Sequence, residues 1–302
     1  MNAKAAHQLY SEVAHEAAAV VIRRYSTSFA LASRLLAAPM RRHVENIYAL
    51  VRIADEIVDG AGEQAGASPE RIRECLDQLE QELMVAVESG YSGNLVVHAF
   101  ALTAREVGID ASLTTPFFAS MRRDLAAGLH SAESFAQYVH GSAEVVGQMC
   151  LRGFLLGEAI APDRFAVLDH GACRLGAAFQ KVNFLRDLEQ DYRGRGRSYF
   201  PDLDPGRVSE GEKDLLLADI RSDLGVAAAA IWQLPHGCRS AVEASLLLFS
   251  ELADRLERTP AGTLLGNRVS VPNHVKLKLV ALALLRHRTV RWGGADARRA
   301  AA

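Results

Sequence analysis

At 302 residues, 49% of them hydrophobic, the chain is long enough to bury the core of one large domain. Its formal net charge of −2 gives no reason to expect a nucleic-acid partner, which would normally need a basic surface. The four cysteines, Cys75, Cys150, Cys173 and Cys238, show no CxxC or other metal-like spacing, so they read as buried thiols of a reducing compartment and not as a disulfide framework.

Almost every segment repeats at 3.6 residues, the period of an α-helix. The first expected helix, 5–24, lies in "MNAKAAHQLYSEVAHEAAAVVIRRY", which alternates charge with alanine and lacks the apolar core of a signal peptide. No later stretch reaches the roughly 18 uncharged apolar residues of a membrane span. The expectation is a cytoplasmic protein with room for peripheral membrane contact. A second helix is expected over 40–59, with Pro39 in its first turn and Gly60 as its stop. After the loop-like "GAGEQAGASPE", helices are expected over 68–88, 94–107, 112–127, 132–159, 162–192, 208–233, 237–257 and 272–290, with a frayed tail from about 293. No period-two alternation or hairpin signal interrupts them. The fold class is therefore all-α, one domain over 1–302.

Two of these helices carry chemistry. In "YALVRIADEIVDG", Tyr48, Arg52, Asp55 and Asp59 are spaced 4, 3 and 4 and share one helical stripe. Carboxylates four residues apart repel by a few tenths of a kcal/mol, roughly, and that cost points to a cation between them. Gln180, Asn183, Asp187 and Asp191 repeat the arrangement at spacings of 3, 4 and 4, among the apolar and small residues of "LGAAF" and "VNFL". A single DxxxD is most often a solvated face. Two of them, each extended upstream by polar groups on the same stripe, are hard to explain as solvation or packing. Hard oxygen donors with no His or Cys nearby select Mg2+, with Mn2+ as a substitute. Magnesium is commonly held by one or two carboxylates together with substrate phosphates, so the two pairs suggest a diphosphate clamp.

The segment after Asp191, "RGRGR", then reads as a lid. Arg186, Arg193, Arg195 and Arg197 can neutralise a diphosphate, and Gly194 and Gly196 let the loop close. Upstream, "YVHGSAEVVGQMCLRGFLLGEA" carries Gly141, Ala143, Gly147 and Gly153 inside a helix. Each glycine weakens a helix by about 1 kcal/mol relative to Ala, so these positions serve either close helix packing or a groove for a hydrocarbon chain.

With these residues in view, the chain resembles the squalene/phytoene synthase family, and among its members the bacterial phytoene synthases of actinobacterial type. The resemblance rests on "YSTSFALASRLL", "IYALVRIADEIVDG", "YVHGSAEVVG" and "LGAAFQKVNFLRDLEQDYRGRGRSYFP" and covers roughly 20–290. It implies an isoprenoid-synthase helical bundle around a central cavity. It implies that Asp55, Asp59, Asp187 and Asp191, with Asn183, hold Mg2+, and that Tyr48 and Arg52 act beside them. It also implies that Ser26, Ser28, Phe29, Tyr138, Ala143, Gly147, Gln180, Asn183 and Arg186 contact prenyl diphosphates, with Arg197 and Tyr199 forming a closing flap. Tyr25 stands where some relatives carry His. Glu144, and one extra residue between Asp191 and Arg197, depart from the pattern.

The implied reaction is the head-to-head condensation of two geranylgeranyl diphosphates to phytoene through a cyclopropyl intermediate. Tyr48 and Tyr138 are candidates for proton handling or cation stabilisation, and no NADPH is expected. The rival within the family is a squalene or dehydrosqualene synthase using farnesyl diphosphate, the former with NADPH. The "NFLRDLEQD" context argues against a head-to-tail elongase or a terpene cyclase. A di-iron carboxylate bundle would need a pair of ExxH motifs, and only Glu12–His15 exists. A non-catalytic helical scaffold would leave the acidic stripes unexplained. The oligomeric state is not specified by the sequence.

Overall fold

The computed structural model describes residues 3–299 apart from 127, 195, 202 and 267. Arg195 of the expected lid therefore lies outside the described residues. Helices follow the periodic segments, and among the described residues six of them begin where a short polar side chain satisfies the first free backbone N–H groups. Helix α1 is Ala3–Tyr25, and Ser26 then caps α2, Thr27–Ser33, by accepting from Phe29 N at 3.1 Å. Pro39 opens α3, Ala38–Val58, and Gly60 at φ 116° ends it. Inside the stretch expected to be a loop, Ala61–Gln64 forms one turn, α4. Ser68, Asn94 and Asp110 cap α5 (Pro69–Ser89), α6 (Leu95–Val107) and α7 (Ala111–Arg123).

Two expected helices are interrupted. The segment expected as one helix over 132–159 is α8, Ala132–Val139, a π turn over His140–Glu144, and α9, Val145–Leu155. The expected 162–192 helix stops earlier: α10 spans Pro162–Arg186, Asp187 is its C-cap, and a second π turn covers Gln190–Gly194. Asp59 and Asp187 thus terminate their helices, and Asp191 lies beyond α10, so neither acidic pair sits wholly on a helical stripe. Helices α11 (Glu210–Ile231), α12 (His236–Arg258) and α13 (Asn273–Arg299) complete the chain, α11 with a full capping box between Ser209 and Glu212. Helix α13 as described runs to Arg299, into the tail expected from about 293. Residues 300–302 lie outside the described residues. No strand is present among the described residues; Leu129 and Ser198 form one isolated bridge.

The core falls into two main clusters. One joins α1, α3, α5, α6 and α7 around Phe100, Phe117 and Phe118, all essentially inaccessible. The other joins α10, α11 and α12 with Tyr199, Phe200 and Leu203 from the segment that follows the second π turn. A cavity of about 830 Å³ is lined from both.

Candidate active site

Helices α3 and α10 supply two walls of this cavity. From α3 and its C-cap come Tyr48, Val51, Arg52, Asp55 and Asp59; from α10 and the turn after it come Leu175, Phe179, Gln180, Asn183, Arg186, Asp187, Gln190 and Asp191. Ser26, Ser28, Phe29, Tyr138, Ala143, Gly147 and Tyr199 also line it. Of the sequence-predicted site residues among the described ones, all but Arg193 and Arg197 therefore face one cavity. Polar groups gather where α3 and α10 end, and the remaining surface is mostly aliphatic and aromatic, as a ligand site requires.

On the first wall, Arg52 donates to Asp55 at 2.8 Å and to Glu56, and its guanidinium stacks 4.5 Å from the centre of the Tyr25 ring. Burial pushes the Tyr48 hydroxyl up, against the opposing pull of Arg52 and a hydrogen bond with Ser26. Asp59 accepts from Arg197 Nη1 at 2.6 Å. On the second wall, Asp187 accepts from Arg186 Nε and Arg268 Nε, each at 2.9 Å. Burial alone would raise the Asp187 carboxyl, but these two arginines outweigh it and hold the group below its ordinary value. Asp191 is 7% exposed; its backbone N–H donates to the Asp187 carbonyl at 3.0 Å and its carbonyl accepts from Arg197 N at 2.9 Å.

Arg197 is buried and acts as a latch. Its Nη2 donates to the carbonyls of Val58 and Asp124 at 3.0 and 2.6 Å, where α3 and α7 end and helix dipoles favour a cation. Gly196, at φ 66°, makes the turn that brings Arg197 inward. Tyr199 stacks on Phe184 with centroids 4.0 Å apart. The segment carrying Arg197 and Tyr199 therefore lies over the ends of α3 and α7. Arg193 does not share this placement: it is exposed, pairs with Glu189 at 3.5 Å, and does not line the cavity.

The donor set fits Mg2+. The walls offer four carboxylates and the Asn183 amide, and no histidine lines the cavity among the described residues. No three carboxylate, thiol or imidazole groups among the described residues converge on a single point. Walls of this kind suit an ion that takes one or two carboxylates from the protein and the rest of its shell from water and phosphate oxygens.

Comparison with known proteins adds a decisive observation: residues 22–275 match the squalene/phytoene synthase family. The chain belongs to that family. Its members are prenyltransferases, and so is this protein. It is 27% identical over 295 residues to a phytoene synthase of Arthrospira platensis, covering 89% of this chain and 92% of the relative. A 15-cis-phytoene synthase of Synechocystis sp. is 28% identical over 296 residues, covering 91% and 86%. Among solved structures, a dehydrosqualene synthase in complex with ligand superposes with a TM-score of 0.71 at 22% identity, covering 93% of this chain and 99% of the other. A squalene synthase from Alicyclobacillus acidocaldarius gives 0.67 at 17% identity, covering 83% and 95%. The isoprenoid-synthase helical fold follows.

Within this family member the two readings of the glycine-rich segment divide by position. A Cβ on Gly141 would lie 2.2 Å from the Pro116 carbonyl oxygen, and one on Gly147 would lie 2.4 Å from that of Ala172. Both glycines serve close backbone approach, and Gly147 lines the cavity as well. Glu144 is directed away from the cavity, to Arg174 and to His140 Nδ1 at 3.0 Å. Arg174 reaches Asp223 at 3.3 Å, and Lys181 joins Asp223 to Asp219 at 2.8 and 2.5 Å.

Three functional candidates escaped the sequence reading. Arg268, from the loop before α13, reaches Asp187 from 81 residues away. Lys276 of α13 lines the cavity and donates to Thr27 Oγ1 at 2.7 Å; burial, and then the charge of Arg186, lower its pKa. Asp124, at the end of α7, lines the cavity behind Tyr138. A lone basic residue near "VSVPN" and a lone Asp after "MRR" carry no spacing signal, so nothing local distinguishes them.

Proposed function

We propose that this prenyltransferase condenses two geranylgeranyl diphosphates head-to-head, through a cyclopropyl diphosphate, to phytoene with release of diphosphate. The observation that carries this reading is the reach of the cavity along α10. Its lining runs from Arg186 back to Leu168, about 18 residues or about 27 Å at 1.5 Å per residue. An extended chain covers about 1.2 Å per bond, so the geranylgeranyl chain needs about 18 Å and the farnesyl chain about 13 Å. Both chains fit this length; the longer one fills more of it and still leaves room for its diphosphate at the acidic end. The names of the Arthrospira and Synechocystis relatives support the same reading.

Asp55, Asp59, Asp187, Asp191 and Asn183 would hold Mg2+, which supplies Lewis-acid stabilisation to a departing diphosphate. Arg186, Arg268 and Lys276 place fixed positive charge at the same end and bind the leaving group. The allylic cation left behind faces Phe29, Phe179 and Phe249, whose rings cluster with centroids 3.9 to 5.7 Å apart. Aromatic faces stabilise a cation without trapping it. The Arg197–Tyr199 flap covers the polar end and keeps water from the cation.

The test is product analysis with purified protein, Mg2+ and either geranylgeranyl or farnesyl diphosphate, with and without NADPH. Phytoene from the longer donor without NADPH is expected. Squalene or dehydrosqualene from the shorter donor alone would overturn the chain length, and no product from either would overturn the reaction.

A further inference from the structure

Asp124 is 7% exposed and carries more hydrogen bonds to tyrosine than any role as a helix end requires. Tyr138 Oη lies 2.8 and 2.7 Å from its two carboxylate oxygens, and Tyr199 Oη donates to Oδ1 at 3.1 Å. The nearest cation does not neutralise it by a close pair: Arg197 Nη2 is committed to the Asp124 backbone carbonyl, and Nη1 stands 4.0 Å from the carboxylate. Tyr138 has one proton to donate, so the carboxylate keeps acceptor capacity.

Burial pushes Asp124 up to about 7, with Arg197 and the Tyr138 hydrogen bond pulling against it. Burial, and the adjacent Asp124 charge, push Tyr138 well above the usual phenol range. A phenol so placed is not ionised. It can take a proton from carbon only if its own proton leaves in the same event, and Asp124 is the group placed to receive it.

Resting on the reaction proposed above, we infer that Asp124 receives, through Tyr138, a proton that the condensation must shed. When the double bond of the second donor has added to the first allylic cation, the product cation loses a proton from carbon. The C–H electron pair closes the cyclopropyl ring and that proton bonds to Tyr138 Oη. The original hydroxyl proton of Tyr138 passes to Asp124 Oδ. One carbocation becomes neutral, one carboxylate becomes a carboxylic acid, and the phenol is unchanged. Asp124 does not touch the reacting carbon; it acts through Tyr138.

The test compares wild type, Asp124→Asn, Asp124→Glu, Tyr138→Phe and the Asp124→Asn/Tyr138→Phe double variant. Each is assayed with geranylgeranyl diphosphate and Mg2+, with kcat and KM measured separately and the melting temperature recorded. Asp124→Asn still accepts from Tyr138 but takes no proton. It is expected to lower kcat about 100-fold or more, the scale of a proton-transfer contribution, with KM within about 3-fold of wild type. Asp124→Glu is expected to recover part of the loss. Tyr138→Phe is expected to lose about as much as Asp124→Asn, with the double variant no worse, because both break one path. Near-wild-type kcat in Asp124→Asn, or losses that multiply in the double variant, would overturn the relay. So would a raised KM and a lowered melting temperature in both Asp124 variants without a selective fall in kcat, since that pattern belongs to an anchor. A wild type that converts no prenyl diphosphate overturns the proposed function and the relay with it. An active wild type with an unimpaired Asp124→Asn variant overturns the relay alone.

Discussion

Arg197 satisfies two helix ends and one carboxylate with a single guanidinium, because its planar fork presents several donors at fixed angles. The acidic residues beside it are held in the same manner: Asp55 by Arg52, Asp59 by Arg197, Asp187 by Arg186 and Arg268. Substituting Asn for Asp55 or Asp187 removes one charge from that arrangement and nearly no volume. Each variant is expected to keep its helical circular dichroism and lose turnover, and near-normal product formation in either would contradict the two-clamp arrangement. Asp124 yields a pH prediction of known sign. Its folded pKa is raised, to about 7 from 3.8, so the stability it contributes is full below about pH 4 and is lost as pH rises through 7. The melting temperature of wild type minus that of Asp124→Asn should therefore fall between pH 4 and 7 and then level off. A difference that rises over that range would reverse the assignment of a raised pKa.

At the scale of elements, the two π turns mark where helix geometry gives way to the site. The first begins two residues after Tyr138 and holds Ala143 on the cavity wall, and the second carries Asp191 away from the α10 stripe. Such turns recur at functional sites because they redirect side chains without ending the helix path. The first turn also lets α7 pack unusually close. Gly141 has no room for a side chain, since the Pro116 carbonyl and Ser120 Oγ both stand 2.2 Å from where a Cβ would lie. Gly141 does not line the cavity, so its replacement reports on packing. Gly141→Ala is expected to cost about 1–3 kcal/mol, the usual penalty for overpacking, measured by urea unfolding. An unchanged midpoint would mean that α7 and the π turn separate freely.

For the whole molecule, the two core clusters with the cavity between them place the charged groups at one end of α10 and an apolar surface along the rest of it. Donor length then becomes a matter of reach. Leu175 lines the cavity about 11 residues, or about 16 Å, from Arg186 along α10. With the diphosphate bound at Arg186 as proposed, that would lie beyond the farnesyl chain and within the geranylgeranyl chain. Leu175→Trp is expected to lower kcat/KM for the longer donor at least about 10-fold, the scale of a steric mismatch in an apolar pocket, and to leave use of the shorter donor nearly unchanged. Equal losses for both would mean that the chains do not follow α10.

Helices were legible in the sequence because their period and their caps are local properties, set within a few residues. The acidic pairs were legible for a related reason: carboxylates at a spacing of four among apolar residues demand a partner. Family membership followed from those same short motifs. Where α10 ends was not legible, since the break at Asp187 and the π turn after it leave no mark in the periodicity. Nor were Asp124, Arg268 and Lys276, whose partners stand 14 and 75, 81, and 249 residues away. An ionised side chain has no meaning of its own in a sequence. Its role is set by what it faces, and only the tertiary structure closes those distances.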